Sequence, residues 1–372
     1  MTTKKLSYQS SGVNYDNLDK IKRLAQTNAL KTSGNLHPVG FESIDQSRGE
    51  TAFVWDEGDS YRAIVIESLG TKSTIAEEVY LESKKSYFSE IAQDTVAMIV
   101  NDLIAVGARP LVVNAYFGLG NSDWLLEGTK GEDLINGFAK ACDLSDAVWG
   151  GGETPSLTGI IQPNAVDLAG AAVGIINPKS RLTLGDKIKP GDAIILIESN
   201  GIHANGISLV RKIADTLRDR YLTSLPSGDS LGSNILRPTY LYPKVINSLF
   251  EASIDIHYMA NITGHGFRKI MRANEKFSYI IETLPDLAPE TAGLFRFIQE
   301  KSGLSTEDMY GTFNMGAGFA IILPEPQAQR AQKIIEENGF KSWISGKVEE
   351  GEKQVVIKPL NITFKSESLN IR

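Results

Sequence analysis

The apolar and polar pattern is most informative in Asp94-Thr-Val-Ala-Met-Ile-Val-Asn-Asp-Leu-Ile-Ala-Val-Gly-Ala-Arg-Pro110. Apolar residues fill most positions from Val96 to Val106, which predicts a buried helix. Gly107 supplies a left-handed stop, and Pro110 lies just beyond it. Asp94, Asn101 and Asp102 interrupt the run. Helical positions seven apart are about 20° out of register, so Asp94 and Asn101 share a face and Asp102 lies one step round. Unpaired buried charge is costly, so this face calls for a binding partner. The competing reading makes Asp94 an exposed N-terminal residue and Asn101-Asp102 a solvated strip.

Elsewhere the pattern is coarser. Residues 1–50 are polar and weakly periodic, with one helix over 14–29 and a loop at 33–40, and read as an N-terminal arm. Strands are predicted over 51–55, 61–67, 111–116 and 165–176, and helices over 87–106 and 132–143. The polar stretch 177–189, bracketed by Pro178 and Pro190, marks a boundary. Beyond it come a strand over 192–198, a loop over 199–206 and a helix running to Arg220. Further helices are predicted over 240–252, 267–272, 292–301 and 327–338, with strands over 277–282, 318–323 and 354–357. Strands and helices alternate without βαβ regularity and without a G-x-G-x-x-G, which favours α+β domains with antiparallel or mixed sheets. The expected divisions are an arm over 1–50, a first domain over 51–178 and a second over 190–360.

Composition narrows the function classes. A chain of 372 residues with 42% hydrophobic and 22% charged content suits a soluble two-domain protein. Its net charge of −7 argues against nucleic acid or an anionic membrane as a general partner. A single cysteine, Cys142, excludes internal disulfides and a cysteine-built metal centre. No apolar run reaches membrane-spanning length and no signal core follows Met1, so a cytoplasmic enzyme is expected.

Two further segments carry chemistry. Glu67-Ser-Leu-Gly-Thr-Lys72 and Gly150-Gly-Gly-Glu-Thr154 each set a carboxylate beside glycine. Glycine lets backbone N–H groups approach phosphate oxygens, lysine supplies a cation, and carboxylates hold Mg²⁺. With the Asp94–Asp102 face they suggest a nucleoside triphosphate site. The blander readings are a tight turn at 150–152, a capping Glu153, a solvated Lys72 and a surface or capping His203. Asp167 in its apolar strand is as readily a structural hydrogen-bonder, and Asn314 a turn former.

The order of motifs resembles the aminoimidazole ribonucleotide synthetase (phosphoribosylformylglycinamidine cyclo-ligase) family. The resemblance runs from about Tyr8 to Gly346. It rests on Asp94-x6-Asn101-Asp102-x4-Gly107-x2-Pro110, Gly151-Gly-Glu-Thr154, Val166-Asp-Leu-Ala-Gly170, Gly201-x-His-x-Asn-Gly206 with Ser208-Leu-Val-Arg-Lys212, Thr263-Gly264, and Met309-Tyr-x-Thr-Phe-Asn-Met-Gly316. The resemblance implies a two-domain α+β synthetase fold. Its N-terminal domain would contribute to a dimeric β-barrel, and its C-terminal domain would be an α/β sandwich-like unit. It also implies a homodimer, ATP and Mg²⁺ as cofactors, and a ribonucleotide substrate. The reaction would be phosphorylation of the amide oxygen of formylglycinamidine ribonucleotide, followed by closure of the imidazole ring in purine biosynthesis.

On that reading Glu67, Asp102 and Glu153 hold the metal, and Asp94 is a further ligand or orients one. Gly70, Thr71, Lys72, Asn101, Gly151, Gly152 and Thr154 join Asp94 around the nucleotide. His203, Asn205, Thr263 and Gly264 face the substrate, and His203, Lys72 and Asp102 act in catalysis.

The pattern departs from the family at Glu42, Ser68, Ala115, Arg237, Tyr240, Asn261 and His265. These departures keep two alternatives open: another ATP-dependent phosphorylating enzyme of the superfamily, or an inactive nucleotide-binding paralogue. Selenophosphate synthetase carries a reactive cysteine or selenocysteine near its N-terminal Gly-rich segment, and the hydrogenase-maturation relative a C-terminal cysteine. Cys142 stands in neither place.

Overall fold

The computed structural model describes residues 15–369. An N-terminal helix, α1 (Tyr15–Leu30), precedes a six-stranded sheet built from β1 (Glu42–Ile44), β2 (Phe53–Asp56), β3 (Tyr61–Ser68), β4 (Arg109–Leu119), β5 (Val148–Glu153) and β6 (Val166–Ile176). The strand order is β1-β2-β3-β6-β4-β5, antiparallel throughout except for the parallel β4–β5 pair. Helices α2 (Lys72–Ser83), α3 (Phe88–Ile104) and α4 (Lys130–Leu144) belong to the same part of the chain.

Burial alternates along β6: Val166, Leu168, Gly170, Ala172, Gly174 and Ile176 are buried, while most of the residues between them are half-covered. That period of two means one face is covered, here by α3. Gly170 permits the close approach, since a Cβ there would lie 2.4 Å from the Asn114 carbonyl oxygen and 2.7 Å from Ile99 Cδ1 of α3. The opposite face is bare in the single chain. Ile64, Val173, Val112 and Val148 are paired across four strands into one apolar lane. Ile66, on the same face, is 76% exposed.

The second sheet comprises β7 (Ala193–Glu198), β8 (Tyr258–Asn261), β9 (Phe277–Ile281), β10 (Ala317–Leu323), β11 (Ser342–Glu350), β12 (Gln354–Ile357) and β13 (Ile362–Lys365). Its order is β13-β12-β9-β11-β7-β10-β8, with only β12–β9 parallel. The helices here are α5 (Ile207–Asp215), α6 (Leu231–Ile235), α7 (Pro243–Glu251), α8 (Pro289–Ser302), α9 (Thr306–Tyr310) and α10 (Ala328–Glu337). Every residue of β10 is buried, because this sheet is covered on both faces. Ile195, Ile197, Phe319 and Ile321 pack with α7 and α10 on one side; Ile194, Leu196 and Ala320 pack with Phe267, Ile270 and Met271 on the other.

The mixed sheets agree with the α+β reading, and the predicted helix over 87–106 is α3. Several segments differ, among them the loop expected over 33–40 and the helix expected over 267–272, which are both 3₁₀ turns. Helix α2 is not among the predicted elements, because its buried side Lys72, Ser73, Ile75, Ala76, Glu77 and Val79 mixes polar with apolar residues and hides the helical period. The 150–152 glycines lie inside an edge strand, not a turn. The helix expected to reach Arg220 stops at Asp215.

Candidate functional site

The polar face of α3 is fully engaged, by the protein itself. Lys72 Nζ lies 2.7 Å from Asp94 Oδ2, and neither side chain has any exposure. The same ammonium donates to the carbonyl oxygens of His203 and Arg237, each at 3.0 Å. A lysine has three N–H donors, so none is left for a phosphate. Asp94 Oδ1 accepts from the Thr239 backbone N–H at 2.8 Å and from the Thr239 hydroxyl. Asn101 donates to the Tyr240 carbonyl at 2.8 Å and accepts from the Tyr242 N–H at 3.1 Å, and Gln93 donates to the Thr239 carbonyl at 2.9 Å. Lys72, Asp94 and Asn101 therefore clamp the 237–242 segment onto α2 and α3. Their bonds run to the protein's own backbone and to each other, and none of the three lines the cavity described next.

Asp102, one step round α3, points into a different place. Together with Glu67 from the end of β3 it lines a cavity of about 180 Å³, shared with Lys22, Glu50, Thr51, His265, Lys269, Arg272 and Leu369. Asp102 Oδ1 accepts from Asn261 Nδ2 at 2.7 Å, and its backbone carbonyl accepts from the Thr51 hydroxyl at 2.6 Å. Burial and the adjacent Asp102 carboxylate raise the Glu67 pKa to about 7, and the two carboxyls are hydrogen-bonded to each other. Burial and Arg272 lower the Lys269 pKa to about 8, while burial and Lys269 lower that of His265 to about 4. Arg272 donates Nε and Nη2 to the Gly49 carbonyl at 3.0 and 2.7 Å.

Glu153 does not join this pair, and the expected metal triad does not assemble within the chain. Strand register places Glu67 in a lane with Gly170, Ala115 and Gly152, whereas Glu153 lies in the next lane with Tyr116, Ala169 and Ser68. Adjacent lanes face opposite sides of a sheet, and three strand spacings separate β3 from β5, roughly 14 Å. Glu153, Gly151, Gly152 and Thr154 are all exposed at that far edge. Among the described residues, no group of three or more His, Cys, Asp or Glu side chains is arranged to hold a metal ion.

The remaining expected residues also scatter. Gly70 and Thr71 sit just after β3 at the start of α2, outside the cavity lining. His203, in a left-handed backbone conformation (φ 56°), is 3% exposed. Its ring lies 6.2 Å from that of Tyr240 and 6.5 Å from that of Tyr242. Burial, reinforced by Lys72, lowers its pKa to about 3, so the imidazole is neutral at physiological pH. Its Nε2 and the buried Asn205 Nδ2 make no hydrogen bond. His203 therefore lacks the exposure expected of a catalytic group. Thr263 and Gly264 are half-buried beside the cavity, and it is the following residue, His265, that lines it.

A second cavity, also about 180 Å³, is lined by Glu198, Asn200, Arg237, Tyr240, Asp286 and Trp343 among others. It gathers two of the positions at which the sequence departs from the family pattern, Arg237 and Tyr240. Sequence reasoning missed Glu50, Thr51, Lys269 and Arg272 as cavity residues. Glu50 and Thr51 lie just before β2, and Lys269 and Arg272 lie in and just after a short 3₁₀ turn, Gly266–Met271, where the sequence predicts a regular helix over 267–272. The signal that was present is the neighbouring departure at His265.

This architecture and cavity define an AIR synthase related protein. The family's N-terminal domain model matches residues 49–176 and its C-terminal domain model residues 189–358. The chain belongs to the phosphoribosylformylglycinamidine cyclo-ligase family. It is 32% identical to the phosphoribosylformylglycinamidine cyclo-ligase of Carboxydothermus hydrogenoformans over 370 residues, covering 95% of this chain and 98% of the relative. It is 30% identical to that of Methanococcus maripaludis, covering 93% of each. Among solved structures it is similar to T. maritima PurL complexed with AMPPCP (TM-score 0.56, 14% identity, 88% of this chain and 47% of that one). It is also similar to Stenotrophomonas maltophilia thiamine-monophosphate kinase (TM-score 0.56, 18% identity, 82% and 87%). At these identities the structural likeness speaks to the fold.

Proposed function

We propose that the chain catalyses the ATP-dependent ring closure of formylglycinamidine ribonucleotide to aminoimidazole ribonucleotide, a carbon–nitrogen bond-forming step of purine biosynthesis. The observation that carries this is the match to named cyclo-ligases over nearly the whole chain. The 180 Å³ cavity, built by residues of both matched regions, is the place where the chemistry is assigned.

An amide oxygen is a poor leaving group, and phosphorylation makes it a good one. The protein's part is to align the amide oxygen with the terminal phosphoryl group and to neutralise the charge that develops. Lys269 and Arg272 supply positive charge for phosphoryl oxygens. Asn261 orients Asp102, and Leu369 covers part of the cavity against water. Mg²⁺ fits Glu67 and Asp102. Two hard carboxylates crowded enough to share a proton are a cation site, and Mg²⁺ commonly takes one or two carboxylates plus substrate phosphates. Bound there, it would neutralise charge on the phosphoryl group.

The uncovered lane Ile64–Val173–Val112–Val148, with Ile66 beside it, supports a homodimer formed through the six-stranded sheet. A cytoplasmic location suits the lone buried Cys142, and no described helix is long and apolar enough to cross a membrane.

The test is ADP release by purified protein with Mg²⁺-ATP, with and without formylglycinamidine ribonucleotide. ADP release that depends on that substrate and accompanies aminoimidazole product is the expected result. ATP binding without turnover, or turnover only on another acceptor, overturns the proposal.

A further inference from the structure

The lining of the carboxylate cavity is polar with one exception. Eight of its nine residues are charged or carry a hydroxyl or imidazole, and the ninth is Leu369. A leucine offers no hydrogen bond to a ligand or to its neighbours. What it offers is surface that water wets poorly. It lies past both matched regions, at the C-terminal end of the described residues.

The way Leu369 is held is equally unusual. Strand β13 is fixed: it pairs with β12 from Ile362–Ile357 to Lys365–Gln354, and Ile362 and Phe364 are buried in the core of the second sheet. The Arg268 guanidinium lies over the Phe364 ring, 4.9 Å from its centroid, which ties the strand to the turn that carries Lys269. Beyond Lys365 the attachment changes. Among the described residues, the turn Ser366–Ser368 keeps its hydrogen bonds local. The Ser368 hydroxyl donates to the Lys365 carbonyl at 2.6 Å, and the Leu369 N–H to the Ser366 carbonyl at 3.0 Å. Ser366 and Glu367 are exposed, while Leu369 is half-buried against the core. A fixed strand thus ends in a short strap that meets the cavity through one apolar side chain. Its release breaks dispersion contacts and no hydrogen bond to the body of the protein.

The chemistry gives such a strap a task. A terminal phosphoryl group held for an amide oxygen is also open to water. In the competing reaction a water oxygen bonds to the terminal phosphorus and the bond from phosphorus to the bridging oxygen breaks. ADP, phosphate and a proton are released, and no ring is closed. We propose that Leu369 is a releasable water seal: seated, it keeps bulk water from the phosphoryl group while the amide oxygen attacks, and the strap 366–369 lifts to let ligands pass. This rests on the proposed function and adds to it a residue that sets the choice between amide and water as acceptor. Leu369 acts by excluding a competitor.

The test follows ADP release by the full chain with Mg²⁺-ATP, with and without formylglycinamidine ribonucleotide, together with the aminoimidazole formed. The wild type is expected to release little ADP without acceptor, and about one ADP per ring closed with it. Leu369→Ser should raise acceptor-independent ADP release about tenfold and lift the ratio of ADP to product above that of the wild type. A chain ended at Lys365 should do the same. Leu369→Met, which refills the apolar volume, should keep the wild-type ratio. Unchanged or lowered acceptor-independent release in Leu369→Ser overturns the inference. Should that variant lose its thermal midpoint, the shortened chain is read by the same criterion. Wild-type calorimetry with Mn²⁺-AMPPCP, the metal complex of a non-hydrolysable nucleotide, comes first. Absence of binding there sinks the proposed function and this inference with it. Turnover only on another acceptor sinks the proposed function alone, because acceptor-independent release still reports the seal.

Discussion

Lys72 and Asp94 form a closed ion pair, 2.7 Å apart and without solvent exposure, joining the helix after β3 to α3. Burial works against both charges, pushing the lysine pKa down and the carboxylate pKa up, while their mutual attraction opposes it. Removing one partner leaves the other charge buried and uncompensated, at a cost of about 3–5 kcal/mol. Lys72→Met is therefore expected to lower unfolding stability by that amount in urea titrations. Lys72→Met combined with Asp94→Leu should cost less than the two single changes added together. A normally stable Lys72→Met protein that merely binds ATP poorly would return Lys72 to the nucleotide.

The carboxylates divide into one pair and one outsider. Asp102→Asn keeps an oxygen acceptor for Asn261 and should leave the thermal midpoint within about 3 °C, while substrate-dependent ADP release falls about a hundredfold or more. Glu67→Gln should weaken Mn²⁺-AMPPCP binding about tenfold, whereas Glu153→Gln should change it less than about twofold. Equal effects from Glu67 and Glu153 would bring the β5 edge back into the centre, through a partner chain.

His203 sets a pH dependence of stability. Its folded pKa is about 3, against about 6.5 in an unfolded chain. Above pH 6.5 neither state takes up the proton and stability is complete. As pH falls from 6.5 toward 3, only the unfolded chain is protonated, so stability is lost. The loss attributable to this residue is about 2 kcal/mol at pH 5 relative to pH 7.5. His203→Asn tolerates the left-handed backbone and should remove that increment from urea titrations at the two pH values. The wild-type rate profile should show no break near pH 6.5 that disappears in this variant.

The bare apolar lane gives a test of assembly. Ile66, 76% exposed on the open face of β3, should be covered by a second copy. Ile66→Glu is expected to halve the mass measured by light scattering, from dimer to monomer, while the circular dichroism of each chain is retained. A wild-type mass already equal to one chain would discard the homodimer.

Much of the fold was legible because its strongest elements obey simple periods. The run from Val96 to Val106, ended by Gly107, is α3, and the seven-residue spacing of Asp94 and Asn101 does put both against one object. What the spacing could not reveal is that the object is the 237–242 backbone, more than 130 residues away in the chain. A buried polar side chain signals that it has a partner and says nothing about which. Glu153 shows the complementary failure. Its glycine-flanked motif looks like Glu67's, but a one-residue change of lane turns a strand side chain to the other face. The segment 267–272 reads as a helix but folds as a 3₁₀ turn ending at Met271, so the sequence pattern does not show which way Lys269 and Arg272 point.

The clamp around Lys72 also constrains how molecules reach the interior. Swinging the two sheets apart would leave the Lys72–Asp94 pair together but strip Lys72, Asp94, Asn101 and Gln93 of their hydrogen bonds to His203 and the 237–242 segment, several kcal/mol away from the resting form, so open conformers would be rare. The carboxylates share their cavity with Lys22 of the exposed α1, which places the open side of the cavity beside that helix. The doorway is bordered by an exposed helix, and the walls around it are pinned by buried hydrogen bonds.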